Sequence, residues 1–394
     1  KIQVMSYKTH RPVLLQEVIK YLNPKPNENF IDATVGDGGH ALEILKYTFP
    51  AGRVLGIDWD ETAIKNLKGV GSNGIKGEKG EGQKGKGEER EQKGEKGGEE
   101  KRGEKKGGSP SSSATSGLLG IIRFGLDTGS NAWEAEPPRT YSRSGIEPRS
   151  YPLIGSRLVL KQGNFAEIKE LSRLNLDRVD GVLFDLGLRT ELIEGGVASN
   201  AIQGEEKGQK GQGDQRGFSF MKDGPLDMRF DRSQSLTARE IVNGWPEEKL
   251  ADIFENLGEE RNYKKIARAI AAARGKNRIE TTGELVAVIK EVIASNAIKT
   301  LARVFQALRM AVNSELENLK AGLEGAWDIV LPQGRIAVIS FHSLEDRVVK
   351  NFFKEKQVIG TGETLTKKPV RPSAEEIRVN SRSRSAKLRA IIKK

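Results

Sequence analysis

Three aspartates, a glycine turn and a serine–histidine cluster carry the chemistry this sequence can do. Asp32 and Asp58 close the apolar runs Phe30-Ile31-Asp32 and Val54-Leu55-Gly56-Ile57-Asp58, and Asp185 closes Val179-Asp180-Gly181-Val182-Leu183-Phe184-Asp185. Between the first two runs stands Gly36-Asp37-Gly38-Gly39-His40. Glycines let backbone approach a ligand, and a helix beginning there offers unpaired N–H donors. The turn reads G-x-G-G, not the G-x-G-x-x-G of a dinucleotide site, which argues against a nicotinamide-dependent oxidoreductase. Neighbouring carboxylates cradle pyrophosphate poorly. They suit a cationic, phosphate-free ligand such as S-adenosylmethionine, which carries an ammonium and a sulfonium. Taken alone, the glycine cluster also reads as an ordinary strand-to-helix turn. Asp58 lies about 20 residues beyond the loop, where an acid grips ribose hydroxyls, or else it caps the helix that opens at Thr62.

These groups meet only if the runs that carry them are parallel strands. Ligands of open α/β sheets bind at the carboxyl ends of strands, and all three aspartates are at or near such ends. The pattern predicts a helix through Val18, Ile19 and Leu22, then strand, glycine turn and helix from Phe30 to Leu45, with the first unit closing near Leu67. Arg157-Leu158-Val159-Leu160 resumes the strands, followed by Gly163-Asn164-Phe165. Phe165 is read equally as core or as a flank for an adenine ring. Gly334 to Ser340 predicts a late strand, after which come Phe341, His342, Ser343, Leu344, Glu345 and Asp346. A lone histidine is usually structural, but at a strand end beside a serine and two acids His342 is placed in the site.

Helical patterns interrupt the alternation. They run over Leu236 to Asn243, Glu247 to Leu257, Glu259 to Arg274 and, from the capping box Thr281-Thr282-Gly283-Glu284, Leu285 to Ala294. This block reads as an inserted helical domain. Lys264, Lys265, Arg268 and Arg274 give it a basic side, either solvated or set against RNA phosphate. Arg303 to Leu323 predicts one long helix. The expected organisation is a core in residues 1–68, 157–190 and 301–394, interrupted by a low-complexity insert at 69–156 and the helical domain at 191–300, the latter with a second low-complexity tract at 204–216.

The chain has 394 residues with a formal charge of +11, which points to a polyanionic partner such as nucleic acid. Lys, Glu and Gly recur from Lys76 to Lys106 with no hydrophobic period, a composition expected to stay disordered. The basic tail from Lys367, with Ser381-Arg382-Ser383-Arg384-Ser385, reads as a disordered arm on phosphate, its end packing as a strand through Leu388, Ile391 and Ile392. There is no cysteine and there are three histidines, so neither disulfides nor a Cys or His-rich metal site is expected. No membrane span or signal segment is predicted, and the expectation is a soluble protein of a reducing compartment.

Collinear motifs then bring in a family. His10-Arg11-Pro12-Val13-Leu14, Gly36 to His40, Gly56-Ile57-Asp58, Phe184-Asp185-Leu186-Gly187, Gly217 to Arg229, Phe305-Gln306-Ala307-Leu308-Arg309, Ser340 to Arg347 and Ser381 to Arg389 resemble the bacterial 16S rRNA (cytosine-N4)-methyltransferase family (RsmH, formerly MraW). The resemblance implies an α/β fold, a class I (Rossmann-like) S-adenosylmethionine-dependent methyltransferase core with an inserted all-helical domain. It implies S-adenosylmethionine as donor and a decoding-region cytidine of small-subunit rRNA as acceptor, in the cytoplasm or an organellar matrix. A homodimer is compatible with it, and no metal or membrane is called for. By the same resemblance Gly38, Gly39, His40, Asp58, Phe165 and Asp185 would line the donor site. Asp185, Ser340 and His342 would serve the acceptor base, with Asp227, Arg229 and Glu345 on the substrate side. The chain departs from the family where Leu188-Arg189-Thr190-Glu191-Leu192 replaces Val-Ser-Ser-Pro-Gln and Lys299-Thr300-Leu301-Ala302 replaces His-Pro-Ala-Thr.

Overall fold

A computed structural model describes residues 12–73, 154–187, 216–293 and 297–394. The low-complexity stretches at 76–106 and 204–215, the apolar island at 118–126, the arm residues His10 and Arg11, and the departure ending in Leu192 lie outside the described residues.

Seven strands form one sheet: β1 (Phe30–Asp32), β2 (Val54–Asp58), β3 (Leu158–Gln162), β4 (Val179–Asp185), β5 (Val330–Ser340), β6 (Gly362–Thr364) and β7 (Lys387–Lys393). Their order is β3-β2-β1-β4-β5-β7-β6. The first five pair in parallel and β7 is antiparallel to β5 and β6. Apolar runs without alternation suit this arrangement, because parallel strands are covered on both faces. The burial of Val54 to Ile57 and of Gly181 to Phe184 follows that rule. At Gly181 the approach is close: a Cβ would stand 2.4 Å from the Phe30 ring.

The order reverses at β1, which lies between β2 and β4, so the carboxyl ends of these strands open the crevice where ligands of such sheets bind. Asp32 pairs across to Gly56 and Leu183 in register, which brings Asp58 and Asp185 to the same rim. Helices α1 (Leu15–Leu22) and α2 (Gly39–Tyr47) cover one face, where Val18, Leu22, Ala41 and Ile44 share a cluster with Phe30 and Ile339. Helix α3 (Glu61–Asn73) follows β2 and runs six residues past the expected limit at Leu67. The short α4 (Ile154–Arg157) leads into β3, and α5 (Ile168–Arg173) follows it on the other face.

Between β4 and β5 come α6 (Ala238–Gly244), α7 (Glu247–Asn256), α8 (Tyr263–Arg274), α9 (Thr282–Val292), α10 (Ala297–Asn313) and α11 (Glu315–Ile329). The predicted capping box at Thr281 is present, with Glu284 closing it. The single helix expected from Arg303 to Leu323 is two, because Ser314 adopts φ 48° and breaks it. The break separates two cores. Leu301, Val304, Phe305 and Leu308 of α10 pack with Phe254 and Ile266 of the helical block, whereas Leu319 and Leu323 of α11 pack with Phe184 and Val338 of the sheet.

Helix α12 (Ser343–Val358) follows β5, and α13 (Ala374–Val379) precedes β7. The tail expected to be a phosphate arm is folded, with Ser383 and Ala386 buried and a bridge between Val370 and Leu388. Its terminal strand is the expected one. Among the described residues no helix is long and apolar enough to cross a membrane.

Candidate active site

The rim at β1 and β4 gathers the charged groups. Gly36 and Gly38 carry φ of 49° and 78°, which bends the chain tightly out of β1 into α2. Gly38 is the N-cap of α2, and a Cβ on Gly39 would meet the Pro12 ring at 2.3 Å. The segment before α1 thus lies directly on the turn. Asp58 fastens the turn from the other side: its Oδ2 accepts from Gly36 N at 2.9 Å and its Oδ1 from Asp60 N at 2.8 Å.

Asp185 is held through its backbone. Its N–H donates to Thr34 Oγ1 at 2.6 Å, an anchor that no spacing in the sequence announces. Its Oδ2 lies 3.6 Å from His40 Nδ1, and its Oδ1 is buried with no hydrogen-bond partner. His40 Nε2 stands 3.0 Å from Val13 O. A carbonyl only accepts, so Nε2 carries the proton and Nδ1 turns its lone pair toward Asp185.

Burial sets the charge states here. Desolvation pushes the Asp32 carboxyl up to about 7, with Asp185 and Asp58 adding to the rise and His40 opposing it. Burial likewise raises Asp185 to about 7, helped by the charge of Glu345, even though 23% of its side chain is exposed. His40, almost wholly enclosed, is lowered from its ordinary value by the same desolvation. Asp32 thus responds to both other aspartates, and burial favours the neutral form of the imidazole beside them.

The second cluster is closed on itself. His342 is the N-cap of α12: its Nδ1 accepts from Glu345 N at 3.3 Å, and its Nε2 lies 3.0 Å from Glu345 Oε1. Glu345 Oε2 accepts from Phe341 N at 2.8 Å. Ser340 is buried within the sheet, its hydroxyl donating to Lys387 O at 3.4 Å. His342 Nδ1 and the Ser340 hydroxyl are thus engaged, while His342 Nε2 is buried beside Glu345 without a hydrogen bond. Glu315 comes near His342 and Glu345, with candidate ligand atoms within 4.8 Å of one another. Arg309 already grips Glu315 in a two-pronged pair at 2.6 and 2.9 Å.

Asp227 and Arg229 face each other at 2.7 and 2.9 Å, and Arg229 also donates to Arg232 O and Gln234 O. Their charges fold the strap that runs from residue 216 to 236. Phe165 is half-buried: it packs edge-on against Phe184 at 5.7 Å and fills the space over Gly322. What faces open space is its neighbour: Asn164, Trp59, Gln234, Ser235, Asn313 and Ser314 line a cavity of about 440 Å³ at the ends of β2 and β3. Trp59 directly follows Asp58, and that adjacency was the sequence signal for it. Lys299 to Ala302 form the first turn of α10, where Thr300 and Leu301 are buried.

The donor set fits a cationic ligand. Three carboxylates, one with an unpartnered buried oxygen, stand beside an imidazole and a tight glycine turn, and the cavity lies next to Asp58 along the chain, at Trp59, without being lined by the carboxylates themselves. Cutting Asp58 back to alanine removes the loop tie and one acceptor of charged character. Donor affinity measured by calorimetry will fall about 10–100-fold, as expected for losing a hydrogen bond to a charged group; an unchanged Kd would remove Asp58 from the donor site.

A model of the MraW methylase family matches residues 7–72 and 151–394. Three proteins named ribosomal RNA small subunit methyltransferase H are similar over nearly the whole chain. That of Symbiobacterium thermophilum is 35% identical, covering 98% of this chain and 96% of its own. That of Thermomicrobium roseum is 35% identical, covering 97% and 93%. That of Coprothermobacter proteolyticus is 34% identical, covering 98% and 97%.

Proposed function

Because the chain belongs to the MraW methylase family, we propose that it moves a methyl group from S-adenosylmethionine to the exocyclic N4 of a cytidine in the decoding region of small-subunit rRNA, in the cytoplasm or an organellar matrix. The observation that carries this reading is Asp185, a carboxylate at the switch point of the sheet with one buried, unpartnered oxygen.

Bound S-adenosylmethionine supplies an electrophilic methyl on a sulfonium. Asp58, with the Gly36 to Gly39 turn, would hold the nucleoside part of the donor, and Asp32 and Asp185 would offset its positive charge. The acceptor is a poor nucleophile, because its lone pair is delocalised into the pyrimidine ring. Asp185 Oδ1 accepts a hydrogen bond from that amine and so turns the lone pair outward. Fixing two reactants in this way supplies about 7–11 kcal/mol in the best cases. When the new N–C bond forms, the amine must lose a proton, and Asp185 takes it. His40 Nδ1, 3.6 Å away on the far side, is the next acceptor. The target base must leave its stack to reach a group at this depth.

The test is mass spectrometry of small-subunit rRNA from cells with and without the protein. One N4-methylcytidine should vanish in its absence and return with the intact gene; an unchanged modification pattern would overturn the assignment.

The charge states give a second test. Asp32 and Asp185 are largely protonated below about 7 in the free protein, and a bound cation favours their ionised forms. Donor binding must therefore release protons between the ordinary carboxylate pKa and about 7, and affinity rises with pH across that window, then levels off. Calorimetry at about pH 6 in two buffers of different ionisation enthalpy will show net proton release. Heats independent of buffer would mean that these acids do not face the donor.

A further inference from the structure

We infer that the folded C-terminal arm is a phosphate-docking ledge for the RNA strand that carries the target base. This rests on the rRNA acceptor proposed above. β7 runs antiparallel to β5, with Lys387 opposite Ser340, so the chain that enters β7 crosses the carboxyl rim of the sheet. That is the rim of Asp32, Asp58 and Asp185. The arm is pinned there at two points. Val370 and Leu388 exchange backbone hydrogen bonds at 2.9 Å in both directions. Glu376 of α13 accepts from Leu14 N at 2.8 Å, two residues from the Pro12 that covers Gly39, and its charge reaches His40.

From Lys367 to Lys387 the arm carries seven basic residues and two acids. The acids are committed, Glu376 to Leu14 and Glu375 to an exposed pair with Arg378. Lys367, Lys368, Arg371 and Arg384 are exposed, and among the described residues no carboxylate pairs with them. Four uncompensated cations on a fixed scaffold beside the site are what a polyanionic strand requires.

The other basic surface is partly compensated. Helix α8 meets the acidic face of α7: Arg268 pairs with Glu247 at 3.6 Å, and Glu248, Asp252 and Glu255 border the same cleft as Lys264. Arg274 is turned inward to Val242 O at 2.7 Å. Phosphate on α8 would have to displace or face these carboxylates, so the choice left open by the sequence falls to the arm.

The test compares the intact protein with a variant carrying Lys367→Gln, Lys368→Gln, Arg371→Gln and Arg384→Gln, and with a control carrying Lys264→Gln and Lys265→Gln. The probe is a short single-stranded RNA of mixed sequence titrated at several salt concentrations. The slope of log affinity against log salt should drop by about 0.7 for each cation lost, hence by about 3 in the fourfold variant and by almost nothing in the control. With small-subunit particles as substrate, KM of the fourfold variant should rise more than about 10-fold, while donor binding shows that its fold is intact. An unchanged slope, or an equal fall in the control, would overturn the ledge. The slope is read without turnover. A protein that methylates no rRNA yet loses slope in the fourfold variant would thus refute the proposed reaction alone.

Discussion

Replacing Asp185 by asparagine will lower kcat for rRNA methylation by about 10²–10⁴ while leaving the fold in place and lowering donor affinity by a smaller factor, because Asp32 still faces the donor's charge. The argument is one of balance. Asparagine preserves size and keeps one acceptor oxygen, and the backbone N–H that binds Thr34 at 2.6 Å is untouched. What disappears is a group able to hold the proton that the amine must give up. Asp185 is suited to that task because burial and the nearby Glu345 charge raise it to about 7, within reach of neutral solution, whereas an ordinary carboxylate would be too weak a base. The residual rate of the variant should also lose its rise with pH below about 7, since the titrating group is gone. His40→Gln separates the roles further. It removes the acceptor 3.6 Å behind Asp185 but not Asp185 itself, and should cost less. Single-turnover kinetics with donor affinity measured in parallel decides the matter. An Asp185→Asn protein within about threefold of the parent would show that the proton leaves by another route.

The parts of this site that were legible in the sequence are those set by strand ends. An apolar run closing in a carboxylate fixes both a parallel strand and the residue at its rim, so Asp32, Asp58 and Asp185 could be grouped before any coordinates. The glycine turn was legible for the same reason, because only glycine takes φ of 78° at Gly38 without strain. The cluster at Ser340, His342 and Glu345 was legible as the end of β5, but its part in capping the next helix was not. Histidine followed three residues later by glutamate is also a helix cap, and the cap engages Nδ1 and leaves Nε2 without a hydrogen bond. Phe165 and Asn164 show the ambiguity of a single aromatic beside a polar residue at a strand end. Which of them meets the cavity depends on the close approach of Gly322 in α11, far along the chain. The helix break at Ser314 was invisible because the apolar spacing of α10 runs on into α11. Only the two separate cores show that the spacing serves different partners on either side.

The strap from residue 216 was legible as a motif but its buried Arg216–Asp60 pair was not, and that pair should produce the largest loss of stability. Arg216 and Asp60 form a pair at 3.0 Å with side chains only 4% and 7% exposed. The guanidinium also donates to Arg229 O at 3.1 Å and Phe230 O at 2.9 Å and lies over the Phe218 ring. Phe230 in turn stacks on Phe218 and tilts against Trp59. Arg216→Ala would strand the Asp60 carboxylate in a dry interior and free two strap carbonyls, a loss of roughly 3–5 kcal/mol. Urea denaturation should show it as a lower midpoint with unchanged slope. Pairing Arg216→Met with Asp60→Asn should recover part of that loss, because the stranded charge is then gone. The same chain of contacts ends at Trp59, on the wall of the cavity beside Asp58, so the single variant should also bind the donor more weakly well below its unfolding temperature. If Arg216→Ala costs under about 1 kcal/mol, water must reach Asp60 when the arginine leaves. The strap would then be a loose cover over the cavity instead of its fixed wall.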